Sequence, residues 1–157
     1  MTRSDLATVI EPPIPRIIPD ANVFLNGITG RPDTLNRRLY QDFRRGLNRF
    51  VFSEAWLTEF ERILEYSEVI ALGITPSLVA KVTRDLWLLG EYVDLVPLFD
   101  WPSVGDRKDW HLFDLLLESN ADALVTQDRH MLEAGQKLKM PVHKPGELPG
   151  LGLISSR

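Results

Sequence analysis

From Ile14 onward, short apolar runs rich in Ile, Val and Phe alternate with longer stretches of helical period, and no other feature constrains the fold as much. The runs are Arg16-Ile17-Ile18, halted at Pro19-Asp20, then Arg49 to Phe52, Val93 to Leu98, Ala123 to Thr126 and Pro141-Val142-His143. Between the first two, Leu35, Leu39, Phe43 and Leu47 recur every four residues, which predicts a helix over 34–48. Ser53 predicts the cap of a helix from Glu54 to about Tyr66, and Thr75-Pro76 opens another that runs to about Gly90. Asp109 to Asn120 is a strongly apolar helix, and a short helix passes through His130 and Leu132. Strands separated by helices in this way pair in parallel and are covered on both faces. The expected class is α/β, a three-layer α/β/α sandwich around a central, mainly parallel sheet of about five strands. At 157 residues the chain is long enough for one such domain. Residues 1–13, ending in Glu11-Pro12-Pro13, read as an N-terminal extension, 14–148 as the domain, and 149–157 as an irregular C-terminal tail.

Several chemistries are excluded at this level. There is no cysteine, which removes disulfides, Cys-built zinc sites and thiol nucleophiles. No apolar stretch approaches the ~20 residues of a membrane span, and Met1 to Pro13 lacks the apolar run of a secretory signal. No Gly-rich phosphate loop or G-x-S-x-G elbow occurs. His111, His130 and His143 are scattered without metal-ligand spacing and read as surface or core residues. An aspartyl-phosphate enzyme would need a second Asp two places after the first, where this chain has Asn22.

The acids are more informative. Open parallel sheets bind ligands beyond the carboxyl ends of their strands. Asp20 follows the first strand and Asp128 the fourth, so both fall at that edge. Each is also a residue type that caps a helix. On a wheel of about 100° per residue, Asp109 heads the apolar stripe that continues through Phe113 and Leu116, a place where a charge needs a partner or a metal. On the 54–66 helix, Glu59 and Glu61 flank the apolar face on opposite sides, and periodicity does not choose between them.

Taken together these segments resemble the PIN domain family. Ile17-Ile18-Pro19-Asp20-Ala21-Asn22-Val23-Phe24-Leu25 is similar to its opening motif, a strand ending in Asp-x-Asn. Ser53 to Leu64 resembles the second block, whose acid falls on Glu59. Asp106-Arg107-Lys108-Asp109, then Leu112, then Asn120 to Asp128, is similar to the third and fourth blocks in order and spacing. The flavour is that of bacterial PIN proteins of toxin–antitoxin pairs. Three features depart from the pattern. Pro19 stands where an aliphatic residue is usual, Gln127 where Gly is common, and the N-terminal extension is longer than a typical member's.

The resemblance implies a metal-dependent ribonuclease, with RNA as substrate and a cognate antitoxin and a second copy of the chain as partners, in the cytoplasm. It implies Asp20 and Asp109 as the most direct ligands of Mg²⁺ or Mn²⁺, and Asp128 and Glu59 as further ligands or orienters of water. Asp106 is a weaker candidate, and Asn22 and Thr126 could hydrogen-bond the carboxylates or the waters of the ion, beside the plainer reading of simple turn residues. Clustered carboxylates are the hard oxygen donors those ions select. The alternative is a PIN-fold module that binds RNA or protein and cuts little or nothing.

A net charge of −4 looks wrong for an RNA partner, yet it is unevenly spread. The 31–49 segment holds Arg31, Arg37, Arg38, Arg44, Arg45 and Arg49 against Asp33 and Asp42, a local +4 in a chain that is otherwise −8. The first five of these arginines are weak candidates for RNA contact, beside the plainer readings of a solvated helix face or a dimer contact. Trp56 and Trp110 fit core positions, while Trp101, in a loop beside Pro102, suits either packing or a partner contact.

Overall fold

A computed structural model describes residues 13–96 and 99–155. The expected N-terminal extension therefore lies almost wholly outside the described residues. The elements run β1 (Arg16–Pro19), α1 (Ala21–Thr29), α2 (Leu35–Arg44), β2 (Arg49–Phe52), α3 (Glu54–Ile63), α4 (Ser67–Ile70), α5 (Pro76–Leu89) and β3 (Glu91–Tyr92). A 3₁₀ turn (Arg107–Asp109) leads into α6 (Trp110–Ser119), followed by β4 (Ala123–Val125), α7 (Arg129–Leu138), β5 (Val142–His143) and a second 3₁₀ turn (Pro145–Glu147).

The five strands form one sheet in the order β3-β2-β1-β4-β5, and every pairing is parallel. The order runs outward from β1 in one direction through β2 and β3, and in the other through β4 and β5. Right-handed crossovers then put the helices of the two halves on opposite faces. This reversal makes the crevice between β1 and β4, at their carboxyl ends, the place where such a sheet binds ligands. The central strands are buried throughout apart from the edge residues of β1 and β2, as a doubly covered sheet requires. An aromatic cluster fills one layer: Phe24 meets Trp56, Phe60, Phe50 and Tyr40 edge-on, and Phe43 stacks on Phe50 with centroids 4.3 Å apart.

Several elements differ from the sequence-level expectation. The third strand is Glu91–Tyr92; of the expected Val93 to Leu98 run, Val93 to Val96 is not strand, and Pro97 and Leu98 lie outside the described residues. Its register pairs Val51 with Glu91 and Phe52 with Tyr92, and after Phe52 the partner strand ends because Ser53 caps α3. The N–H of Val93 still reaches Phe52 O at 2.9 Å, but β2 offers nothing further. The helix expected over 34–48 stops at Arg44, where Gly46 takes a φ of +75° and leaves Leu47 half exposed. The last helix, expected to be short, spans ten residues. Helix α1 was not expected at all. It lies close against α2 because Gly27 has no side chain: a Cβ there would stand 2.9 Å from both Asn36 O and Tyr40 Cβ.

Residues 149–155 are irregular yet anchored. Leu148 and Ile154 are buried, and Ser155 donates its backbone N–H (2.8 Å) and its hydroxyl (3.1 Å) to the Asp42 carboxylate on α2. Arg38 donates to Ser155 O. Trp101 resolves to packing, with its indole N–H 2.8 Å from Asp114 Oδ1 and its ring 5.8 Å from Phe113. Among the described residues, no helix is long and apolar enough to cross a membrane.

Candidate active site

At the β1–β4 crevice lies a cavity of about 300 Å³ whose lining includes Asp20, Asn22, Glu59, Asp109 and Asp128. Four elements deliver the acids. Asp20 is the residue at which β1 turns into α1, and its Oδ1 caps the helix by accepting from Val23 N at 2.8 Å. Its Oδ2 accepts from the hydroxyl of Thr126, just past β4. That same hydroxyl oxygen accepts the Asp128 N–H at 3.1 Å, so one fully buried side chain bridges the two acids. Asp128 caps α7, its Oδ1 accepting from His130 N at 2.8 Å and Met131 N at 3.4 Å.

Glu59 projects from α3 and pairs with Arg62 at 3.2 Å. It is Glu59, and not the exposed Glu61, that lines the cavity. Trp56, one turn earlier on α3, donates its indole N–H to Pro19 O at 2.6 Å. This ties the helix that carries Glu59 to the strand end that carries Asp20. Pro19 thus keeps a partner for its carbonyl although it has no N–H of its own for the sheet.

Asp109 differs from the other three. It stands at the junction of the 3₁₀ turn and α6 without a side-chain capping bond. Burial pushes its carboxyl up, and the charges of Asp106, Asp128, Asp20 and Glu59 push it further, to about 6. Asp20 is likewise held above the ordinary carboxylate range, chiefly by burial. Hydrogen bonds from Thr126 and from the Val23 and Asn22 backbone pull the other way. The acids therefore feel one another across the cavity.

Asp106 sits just outside it, its Oδ1 accepting from Lys108 N at 3.0 Å. The arginines of residues 31–45 are elsewhere: none lines the cavity. Arg37 donates to Gly27 O and Ile28 O, Arg38 to Ser155 O, and Arg44 stands 3.6 Å from Asp85, while Arg31 and Arg45 are exposed.

His111 is a cavity residue that sequence reasoning passed over. Its Nδ1 is buried without a hydrogen-bond partner, and burial pushes its pKa down to about 4, so it is neutral near pH 7. The available signal was its place on the first turn of the helix headed by Asp109. Trp56 and Gln127 also line the cavity unforeseen.

As the side chains lie, no three His, Cys, Asp or Glu groups among the described residues stand close enough to hold an ion. The reason is visible in the bonds above: Asp20 and Asp128 are turned onto their own helices and Glu59 onto Arg62. The donor chemistry nevertheless fits a hard divalent cation, since the carboxylates offer oxygen only. Asp109, uncapped and raised by burial and then by its acidic neighbours, is the group whose charge such a cation would relieve.

A family model described as PIN domain matches residues 16–130, most of the chain and all four acids. No match is found among curated proteins.

Proposed function

The chain belongs to the PIN domain family, whose members are typically nucleases and generally use divalent metals, and from that premise we propose that it is a Mg²⁺- or Mn²⁺-dependent endoribonuclease. The observation that carries this reading is the single cavity at the β1–β4 crevice in which Asp20, Glu59, Asp109 and Asp128 meet. Asp20 and Asp109 would hold the ion most directly, with Asp128 and Glu59 as further ligands or as acceptors that orient a water. A divalent ion held there would supply Lewis-acid chemistry, lowering the pKa of a water and offsetting phosphodiester charge.

The chain's own contribution is placement and proton bookkeeping. Thr126 fixes Asp20 against Asp128 through its one hydroxyl. Trp56 fixes the start of α3 against the end of β1. Asp109, its carboxyl raised to about 6 by burial and by the charges of its acidic neighbours, would give up its proton as the ion binds. The reading extends to a toxin restrained by a cognate antitoxin, acting as a homodimer in the cytoplasm. The support for that extension is motif likeness alone.

The test is cleavage of single-stranded and structured RNA with Mn²⁺, Mg²⁺ or EDTA, comparing the wild type with Asp20→Asn and Asp109→Asn. Metal-dependent cuts lost in both variants are expected, and cuts that persist in both would refute the assignment. One observation favours the second reading, a binding module: the absence of a ready ion-holding cluster among the described residues. Failure of the folded wild type to bind Mn²⁺ would decide for it.

A further inference from the structure

Helices α4 and α5 bury little of themselves. Val69 is the one buried residue of α4, and of the fourteen in α5 only Val82, Asp85 and Leu86 are buried. On a wheel of about 100° per residue these three share one side of α5. Beside them Pro76, Val79, Ala80, Thr83 and Trp87 fall within about 100° of one another, and none of the five carries a charge or is buried. Leu64, Val69 and Ile70 stand opposite, and the two walls enclose an apolar groove of about 390 Å³. Ile70 is 64% exposed in that wall, and Leu72, just past α4, is 54% exposed. A helix with a second apolar stripe carries more than its own core uses, and contiguous apolar surface of this kind marks an interaction site.

The charges beside the groove say what covers it. Glu61, Glu65 and Glu68 are exposed on the side of α3 and α4, and Lys81 and Arg84 are exposed on α5. Among the described residues none of these five forms an ion pair, and Arg62, the base within the acidic run, is taken by Glu59. A nucleic acid would meet three carboxylates, and any partner of one charge sign would be repelled by one rim. A second copy of the chain meets neither obstacle. With a two-fold axis lying along the groove, the acidic rim of each copy faces the basic rim of the other, and the apolar walls meet between them. Resting on the homodimer of the reading above, and on no chemistry at the acid cavity, we propose that the α4–α5 groove is the surface on which two copies of this chain pair.

The experiment reads the mass of the full chain by sedimentation velocity from about 1 to 100 µM, with a thermal melt to report that each variant is folded. The wild type is expected near twice 17.9 kDa at the upper concentrations. Glu65→Lys with Glu68→Lys, and separately Lys81→Glu with Arg84→Glu, set like charges face to face. Each pair of substitutions should weaken self-association by about 30-fold or more. Mixed in equal amounts, the two double variants should recover a 1:1 pair, because one then carries bases on both rims and the other acids. Ile70→Asp, at an exposed position, should prevent pairing alone and in any mixture. Arg31→Glu with Arg45→Glu, on the other arginine-bearing surface, should leave the dimer intact. A wild type that stays at 17.9 kDa leaves the groove to an unlike partner and overturns the proposal. So would a dimer that survives both charge reversals, reversed variants that do not recombine, or a dimer broken by the Arg31 and Arg45 substitutions. Mn²⁺ binding, read on the same samples by electron paramagnetic resonance, separates the two readings. A monomeric wild type that binds Mn²⁺ refutes the interface alone, whereas a dimeric wild type that binds none refutes the nuclease chemistry alone.

Discussion

Asp42 and Asp109 are both acids withdrawn from solvent, and the molecule treats them in opposite ways. On the α2 flank, buried Asp42 has its two oxygens taken by the backbone and hydroxyl of Ser155. At the strand ends, Asp109 has no capping bond and faces the charges of four other acids. A buried carboxylate whose lone pairs are filled by the chain holds the fold together. One left open among like charges costs stability and gains it back only when a cation arrives. The α2 arginines fall on the stabilising side of this contrast, since Arg37, Arg38 and Arg44 each have a partner within the protein.

Substitution at Asp20 sharpens the contrast most. Asp20→Asn keeps an oxygen to cap Val23 and removes a charge that burial disfavours. Mn²⁺ affinity should fall by about 100-fold or more while the melting temperature of the metal-free protein holds or rises. A titration beside a thermal melt checks both, and a large loss of stability would class Asp20 with Asp42. The converse variant is Asp42→Ala, which strands the Ser155 N–H and hydroxyl. It should cost about 2 kcal/mol in urea unfolding and leave Mn²⁺ binding intact.

The third test uses pH. The Asp109 carboxyl is raised from 3.8 to about 6, so the folded state binds its proton more tightly than the unfolded chain. Its contribution to stability is full below 3.8 and is lost as pH rises through 6. The metal-free protein should therefore gain stability from this group between pH 7 and 5. Over the same interval Mn²⁺ affinity should drop, by about tenfold per pH unit below 6, because proton and ion compete for one carboxylate. Opposite slopes in the two measurements are expected, and parallel slopes would contradict the placement of Asp109. The smallest effect belongs to His111→Phe, which removes an unpartnered buried nitrogen. It should stabilise the metal-free protein by about 1 kcal/mol without loss of cleavage. Lost cleavage would add His111 to the working residues of the cavity.

The fold was legible where period and punctuation agreed. Thr75-Pro76 and Ser53 mark helix starts that the structure keeps, with side-chain bonds to Leu78 N and Trp56 N. Residues 49–52 form β2 as their apolar run suggested. Helix α1 escaped because its cap, Asp20, looked first like a site acid, and because Val23, Gly27, Ile28 and Thr29 are weak helix formers. The strand at 91–92 escaped because its position is set by where β2 runs out, which no local pattern records. At the site, strand ends located Asp20 and Asp128, and the motif resemblance chose Glu59 over Glu61, a choice that periodicity alone left open because both flank the apolar face of α3. The cavity roles of His111 and Trp56 needed the packing of α6 against α3 and of Trp56 against the end of β1. These are tertiary facts, set by which elements meet.

The hydrogen bond from Thr126 to Asp20 joins residues 106 positions apart. During synthesis β1 emerges early and pairs with β2, leaving its other edge open until β4 follows. A ribosome-bound chain that has not yet exposed β4 has Asp20 and Glu59 but lacks Thr126, Asp128 and the closed crevice. Such contacts between distant parts of a chain form late and slowly. On the function proposed above, the chain would thus remain harmless to its own message while most of the polypeptide is still being made.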